Sequence, residues 1–133
     1  MNMDPVDGSS NIDVAISIGS IFGIWPRDFN SRLNESSLIS KGEKQVAAAY
    51  VVYGSSTVMV IASKSGVQSF TLDLTTGLFV LTNPNIVLPS KWKYYSVNYG
   101  NWEGFSKTIQ DSLIELQSHY SLRYVGSLVA DFH

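Results

Sequence analysis

The residues best suited to chemistry lie in one short run near the start of the chain. Residues 4–11 read Asp-Pro-Val-Asp-Gly-Ser-Ser-Asn. Pro5 fixes its own φ and keeps Asp4 out of the helical region, so the backbone turns here. Across such a turn the carboxylates of Asp4 and Asp7 can face one centre, with the carbonyl of Val6 as a third oxygen. Oxygen ligands of this kind suit Mg²⁺ or Mn²⁺.

The residues that follow are suited to binding phosphate. Gly8 allows a positive φ and the close approach of a ligand to the main chain. The N–H groups of Gly8, Ser9 and Ser10 can then line one concavity, an arrangement that binds phosphate oxygens. An Asp-Pro turn followed by a helix cap would use the same residue types. The residues alone therefore leave two interpretations open, a combined metal and phosphate site or a structural turn.

The composition excludes several classes of protein. The 133 residues are 44% hydrophobic and 15% charged, which is typical of a globular domain. A net charge of −2 argues against binding to nucleic acid or to an anionic membrane. The absence of cysteine excludes disulfides and thiolate metal sites and is compatible with the cytoplasm. The longest apolar runs are too short to span a bilayer.

Apolar patterning predicts the elements that must position this run. Alternation of apolar with polar or small residues indicates a strand from residue 12 onwards, and shorter apolar runs indicate four more. The predicted strands cover residues 12–25, 58–62, 67–74, 78–82 and 94–97. The third and fourth form a hairpin around Thr75-Thr76-Gly77.

Helical spacing of apolar residues predicts three helices. They cover residues 46–53, 105–116 and 125–132. Gly54 is expected to end the first helix, and Ser106 is expected to cap the second. The Ser- and Asn-rich stretch at residues 27–42 predicts a loop.

Neither end of the chain shows the signals of a complete domain. The last helix reaches His133 without a stop signal, and three residues before Asp4 are too few for a strand to support the site. We therefore expect residues 1–133 to be a partial α/β domain, truncated at both ends. Its architecture is predicted to be a layered sheet flanked by helices.

Residues 4–11 resemble the Asp-Pro-Leu-Asp-Gly-Ser-Ser-Asn signature of class I fructose-1,6-bisphosphatases, with Val6 in place of leucine. Other stretches are similar to family segments in the same order, namely residues 18–24, 44–50, 53–57, 70–73, 95–98 and 123–131. Several ordered matches are more specific than one short motif. The resemblance implies the sugar-phosphate phosphatase fold and Mg²⁺-dependent hydrolysis of the 1-phosphate of fructose 1,6-bisphosphate in cytoplasmic gluconeogenesis.

The resemblance also implies roles for individual residues. The implied metal ligands, for Mg²⁺ or alternatively Mn²⁺, are Asp4, Val6 through its carbonyl, and Asp7. The implied substrate-binding residues are Asp7, Gly8, Ser9, Ser10, Asn98, Arg123, Tyr124, Gly126, Ser127 and Leu128. The first four would hold the phosphate that leaves, and Asn98 and Tyr124 the other phosphate. Residues 126–128 would contact the sugar through the main chain. No catalytic side chain is assigned.

Arg123 matches an arginine that reaches into the neighbouring subunit's site, so the resemblance implies a homo-oligomer. Without the resemblance, Asn98 would be explained as a turn residue, Tyr124 as a core residue and Arg123 as a solvated charge. Tyr99 also departs from the family pattern, which has glutamate after the asparagine.

Family members are considerably longer than this chain. The resemblance places further acidic metal ligands upstream, and a glutamate ligand and a substrate-binding lysine downstream. We therefore expect the isolated chain to be inactive. Two alternatives stay open. One is sedoheptulose-1,7-bisphosphatase, which shares the pattern of residues 22–26, although Asn11 and Asp131 fit the fructose enzyme better. The other is a non-catalytic structural or subunit-pairing fragment.

Overall fold

A computed structural model describes residues 1–27, 30 and 41–133. The predicted loop at residues 27–42 therefore lies largely outside the described residues. The strands are β1 (Asn2–Asp7), β2 (Ile18–Ile24), β3 (Ala47–Tyr53), β4 (Thr57–Ser63), β5 (Gly66–Asp73), β6 (Leu78–Asn83), β7 (Tyr94–Tyr95) and β8 (Ser121–Leu122). The α-helices are α1 (Lys107–His119) and α2 (Leu128–Phe132), and short 3₁₀ helices cover Ser9–Val14, Gly42–Lys44 and Tyr99–Gly104.

The first six strands form one antiparallel sheet in chain order, and β7 pairs in parallel with β8. The predicted combination of a sheet with flanking helices is confirmed. Strands β5 and β6 form the predicted hairpin. The carboxylate of Asp73 closes its turn by accepting from the Thr75 amide at 2.8 Å and the Thr76 hydroxyl at 2.9 Å. These two hydrogen bonds lower the pKa of Asp73.

The prediction of a helix at residues 46–53 is wrong, because this stretch is strand β3. It pairs with β2 on one side and β4 on the other without a break in register. Three alanines favour a helix locally, but Val51, Val52 and two tyrosines suit a pleated surface. Two neighbouring strands satisfy the backbone groups on both sides of β3, so tertiary pairing overrides the local preference. Gly54 lies in the turn to β4 rather than at a helix end.

The strand predicted from residue 12 begins only at Ile18. The preceding segment is a 3₁₀ helix and a turn in which Ala15 has a φ of 56°. The Ile16 amide donates to the Asn11 carbonyl at 3.1 Å, so backbone groups pair locally instead of in a ladder. On the N-terminal side of this 3₁₀ helix, strand β1 begins at Asn2 and contains Asp4 and Asp7. The expectation that too few residues precede Asp4 for a supporting strand is therefore wrong.

The helix predicted at residues 105–116 is confirmed as α1, with Ser106 at its N-cap accepting a hydrogen bond from the Ile109 amide at 3.4 Å. The last predicted helix is shorter than expected, since residues 125–127 form a turn before α2. Helix α2 packs on β2 and β3 through Val129, which is only 2% exposed. Gly19 leaves the space for it, because a Cβ there would clash with the Val129 side chain. No helix in the described part of the chain is long and apolar enough to cross a membrane.

Candidate functional site

A β-bulge in β1 places the two carboxylates of the sequence motif on one face of the sheet. Asp4 pairs with Ile21 and Asp7 pairs with Gly19, so three steps along β1 oppose two along β2. Directly paired residues share a face, and Ile21 and Gly19 are two residues apart. Asp4 and Asp7 therefore lie on the same face, the one on which α2 packs. The hydroxyl of Ser20 donates to the carbonyl of Pro5 inside the bulge at 2.7 Å.

The phosphate-binding part of the motif follows directly. Gly8 has the left-handed conformation, with φ 79° and ψ 31°, and the 3₁₀ helix begins at Ser9. A left-handed residue followed by right-handed residues aligns successive N–H groups around a concavity that attracts anions. Ser9 and Ser10, the first two residues of this 3₁₀ helix, are exposed. The predicted residues 7–10 thus form one continuous segment.

Side-chain hydrogen bonds join this segment to the far end of the chain. Oδ2 of Asp7 accepts from the Ser127 hydroxyl and from the Val129 amide, each at 2.8 Å. Nδ2 of the buried Asn11 donates to the Val125 carbonyl at 3.1 Å and to the Ser17 carbonyl at 3.3 Å. The turn at residues 125–127 is therefore held against the motif, although more than 100 residues separate them in sequence.

The same turn borders a cavity of about 480 Å³. Tyr124, Gly126 and Leu128 line it, as do Asp131 and the segment 96–97. This volume is comparable to that of small-molecule sites, roughly 300–1,000 Å³, but the cavity is widely open to solvent. Three of the residues predicted to contact the bisphosphate therefore share one cavity beside the motif. The carboxylate of Asp131 shapes its wall by accepting from the Val125 amide at 2.7 Å and the Gly126 amide at 3.0 Å.

Outside the motif, three predicted substrate-binding residues do not line this cavity, namely Asn98, Arg123 and Ser127. Asn98 caps the 3₁₀ helix Tyr99–Gly104, and its Oδ1 accepts from the Gly100 amide at 2.9 Å, which leaves its Nδ2 as the group able to donate to a ligand. Arg123 is exposed and lies over the Tyr94 ring, with its guanidinium carbon 3.8 Å from the ring centroid. A guanidinium held in this way keeps its in-plane N–H donors available to an anion.

The donor set fits Mg²⁺ or Mn²⁺ in kind but is incomplete. Asp4, Asp7 and the Val6 carbonyl are hard oxygen donors, which these ions prefer. Oδ1 of Asp4 accepts from the Val6 amide at 3.2 Å, and Asp4 as a whole is an exposed residue. Within residues 1–27, 30 and 41–133, no three His, Asp or Glu side chains lie close enough together to hold a metal. Asp4 and Asp7 are thus the only two acidic side chains that the motif itself offers.

Sequence reasoning missed the residues that hold the site together. It treated Asn11 only as part of a motif and Asp131 only as a family match, and it assigned Ser127 a main-chain contact. The signal for Asn11 and Asp131 was present in their types, because short polar side chains beside turns commonly bond to backbone groups. Their partners were not visible, because these lie on distant segments.

Two family models match the chain. The model described as fructose-1-6-bisphosphatase, N-terminal domain, matches residues 1–84, and the model described as fructose-1-6-bisphosphatase, C-terminal domain, matches residues 88–133. The junction between the two matches falls after β6, where the six-stranded sheet ends. The motif and the turn that it contacts therefore come from different matched regions.

Curated relatives and solved structures agree with these matches. Fructose-1,6-bisphosphatases class 1 of Cytophaga hutchinsonii and Chlorobium phaeovibrioides are each 48% identical over 98% of this chain. The chain spans only 40% and 42% of their lengths. The crystal structure of the apo Leishmania major fructose-1,6-bisphosphatase superposes with a TM-score of 0.88 at 41% identity, covering 98% of this chain and 45% of that one. The chain belongs to the fructose-1,6-bisphosphatase family.

Proposed function

We propose that this chain supplies part of the active site of a Mg²⁺-dependent phosphatase that hydrolyses fructose 1,6-bisphosphate to fructose 6-phosphate and inorganic phosphate. The observation that carries the proposal is the continuity of the site. Two carboxylates on one sheet face run directly into the left-handed turn at Gly8, and Asp7 is bonded to the turn that borders the cavity. This arrangement suits a ligand that brings a metal and a phosphate together.

In this proposal the first residues of the motif bind the metal, and the residues that follow them bind the reacting phosphate. Asp4, Asp7 and the Val6 carbonyl would hold Mg²⁺, with Mn²⁺ able to replace it. When bound, the metal supplies neutralisation of phosphate charge and a more acidic water. The amides of residues 8–10 would bind the oxygens of the 1-phosphate and orient it for in-line attack by water on phosphorus. A bond from the water oxygen to phosphorus forms as the bond from phosphorus to the sugar O1 breaks, and one proton of the water is transferred, directly or through solvent, to O1.

The opposite end of the substrate would occupy the cavity. Tyr124 would donate its hydroxyl to the 6-phosphate, Nδ2 of Asn98 would donate a second hydrogen bond, and residues 126–128 would contact the sugar. Arg123 would reach a phosphate in a neighbouring subunit, which makes a homo-oligomer part of the proposal. We assign the reaction to gluconeogenesis in the cytoplasm, in line with the absence of cysteine from the sequence.

A full-length chimera tests the proposal. In it, residues 1–133 replace the matching 40% of the Cytophaga hutchinsonii relative. We expect Mg²⁺-dependent release of phosphate from fructose 1,6-bisphosphate, with a higher kcat/KM than for sedoheptulose 1,7-bisphosphate. The unmodified relative serves as the control for the assay. A folded chimera without activity, beside an active control, would contradict the proposal, and a preference for the seven-carbon substrate would reassign it.

The isolated 133-residue chain is expected to release no phosphate above background. Its described residues include no cluster of three ligating side chains, so Mg²⁺ should bind weakly. The measurement is phosphate release at saturating fructose 1,6-bisphosphate and Mg²⁺, with the chimera as the positive control. Substantial turnover by the purified chain would show that the site is complete without further ligands.

Tyr124→Phe in the chimera is expected to raise KM for fructose 1,6-bisphosphate and to leave kcat nearly unchanged. The substitution removes one hydroxyl and little volume. A lost hydrogen bond to a charged group costs about 1.5–3 kcal/mol, which corresponds to a roughly 10- to 150-fold rise in KM. The measurement is steady-state kinetics with fructose 1,6-bisphosphate and with fructose 1-phosphate, which lacks the far phosphate.

The matched control for this variant is Tyr120→Phe, since Tyr120 follows α1 and does not line the cavity. It should leave both constants unchanged. Fructose 1-phosphate should be a poor substrate for the parent chimera and for Tyr124→Phe alike. If Tyr124→Phe weakened both substrates equally, or neither, the half-exposed Tyr124 would have no specific role in binding the far phosphate, which would then bind elsewhere.

A further inference from the structure

Ser127 has the most buried polar side chain in the described part of the chain, with 1% of its surface exposed. It occupies the N-cap position of α2, where a serine hydroxyl ordinarily accepts a hydrogen bond from an amide of its own helix. Here the Ser127 hydroxyl makes no such cap. It donates instead to Oδ2 of Asp7 at 2.8 Å, across 120 positions of sequence.

The carboxylate of Asp7 caps the N-terminus of α2 in place of the Ser127 hydroxyl. Its Oδ2 also accepts from the Val129 amide in the first turn of α2, at 2.8 Å. Two donors on one oxygen set both the position and the rotation of the carboxylate. Oδ1 of Asp7 accepts no hydrogen bond from any residue that the structure describes. The two oxygens are therefore distinguished, one held by the protein and one left for a ligand.

Ser127 is itself held in place. The carboxylate of Asp131 accepts from the two amides that precede it in sequence, at Val125 and Gly126. On its other side Ser127 packs against Gly8, where an added Cβ would lie only 2.6 Å from the Ser127 Cβ. The backbone of Ser127 is therefore held firmly in place. Its hydroxyl can orient the Asp7 side chain only if the backbone that carries it is fixed in this way.

We propose that Ser127 is a positioning residue for Asp7, and that its hydroxyl presents Oδ1 of Asp7 to the metal ion. The inference rests on the assignment of Asp7 as a metal ligand in the proposed function. It gives the Ser127 side chain a role separate from the main-chain contact to the sugar that the family resemblance implies. Partners in the outer shell of a metal site fix the orientation of the ligands that touch the metal.

The test measures binding of Mn²⁺ to the chimera, by electron paramagnetic resonance and without substrate. We expect Ser127→Ala to raise the Mn²⁺ dissociation constant by about 10- to 100-fold, the usual effect of losing an outer-shell partner. Ser127→Cys keeps the size and offers a weaker donor, so it should give an intermediate constant. If Ser127 had only a structural role, the Mn²⁺ dissociation constant would not rise in the order parent chimera, Ser127→Cys, Ser127→Ala.

Ser69→Ala is the matched control. Ser69 is also buried, at 9% exposure, and lies in β5, four strands away from the β1 strand of the motif, with its hydroxyl 3.3 Å from the Thr82 hydroxyl. This variant should shift the midpoint of urea unfolding about as much as Ser127→Ala and should leave Mn²⁺ binding unchanged. An equal loss of Mn²⁺ binding in Ser69→Ala would overturn the inference, because the loss would then be global.

The remaining outcomes separate the inference from the proposed function. Unchanged Mn²⁺ affinity in either Ser127 variant, with the parent chimera active, overturns the inference alone. A parent chimera that binds Mn²⁺ but does not hydrolyse fructose 1,6-bisphosphate overturns the function alone. A folded parent that binds no Mn²⁺ removes Asp7 as a ligand and overturns the inference. If Ser127→Ala does not fold, Ser127→Cys decides.

Discussion

Asp4→Asn in the chimera is expected to abolish Mg²⁺-dependent phosphate release and to leave the fold intact. The side chain is exposed, and its only hydrogen bond in the described structure is the one from the Val6 amide, which an amide oxygen can still accept. The charge is what is lost, and proteins bind Mg²⁺ mainly through one or two carboxylates. The decrease should exceed the roughly 100-fold upper range for outer-shell partners. Phosphate release measured across a Mg²⁺ titration tests this.

Asp7→Asn should abolish activity as well, but it should also lower stability. An amide in place of the carboxylate cannot accept from both the Ser127 hydroxyl and the Val129 amide as strongly. Leaving a buried donor poorly paired costs about 1–3 kcal/mol. Urea unfolding should therefore separate Asp7→Asn from Asp4→Asn, while the activity assay should not.

Asp13→Asn is the control for both variants, because Asp13 is an exposed acid in the adjacent 3₁₀ helix and belongs to neither predicted set. It should keep full activity. Near-normal activity in Asp4→Asn or Asp7→Asn would refute the assignment of these carboxylates as metal ligands. An equal loss in Asp13→Asn would indicate a general effect of negative charge rather than ligation.

Gly8→Ala is expected to lower the free energy of unfolding by about 2–5 kcal/mol. A left-handed conformation costs a residue with a Cβ about 1–2 kcal/mol, and the φ of Gly8 is 79°. The new methyl would also lie 2.6 Å from the Ser127 Cβ, and overpacking of this kind costs about 1–3 kcal/mol. The measurement is equilibrium unfolding in urea, with phosphate release expected to fall in the same protein.

Gly77→Ala separates the two contributions. Gly77 has a similar φ of 71° in the β5–β6 turn, and nothing lies within 4 Å of an added Cβ. Gly77→Ala should therefore lower the free energy of unfolding only by the cost of the left-handed conformation, about 1–2 kcal/mol. If Gly8→Ala lowered the free energy of unfolding no more than Gly77→Ala, the close packing of Gly8 against Ser127 would be contradicted.

The sequence by itself determined the elements whose signals are local. Ser106 and the spacing of apolar residues after it predicted α1, because a cap and an amphipathic face act within one element. The β5–β6 hairpin followed from two apolar runs around Gly77, whose positive φ the turn requires. The ordered resemblance predicted the family, which the matches to residues 1–84 and 88–133 confirm. The assignment of individual site residues stays a prediction.

Tertiary structure decided the elements and contacts whose partners are distant in sequence. Residues 47–53 became a strand because β2 and β4 supply hydrogen bonds on both sides, which outweighs the helical preference of three alanines. Asn11 turned its segment away from the predicted strand by bonding to carbonyls 6 and 114 positions away. The orientation of Asp7 depends on Ser127 and Val129, which only the docking of α2 on the sheet brings within reach. Periodicity reports which side of an element is apolar, whereas a hydrogen bond between remote side chains depends on how whole elements pack.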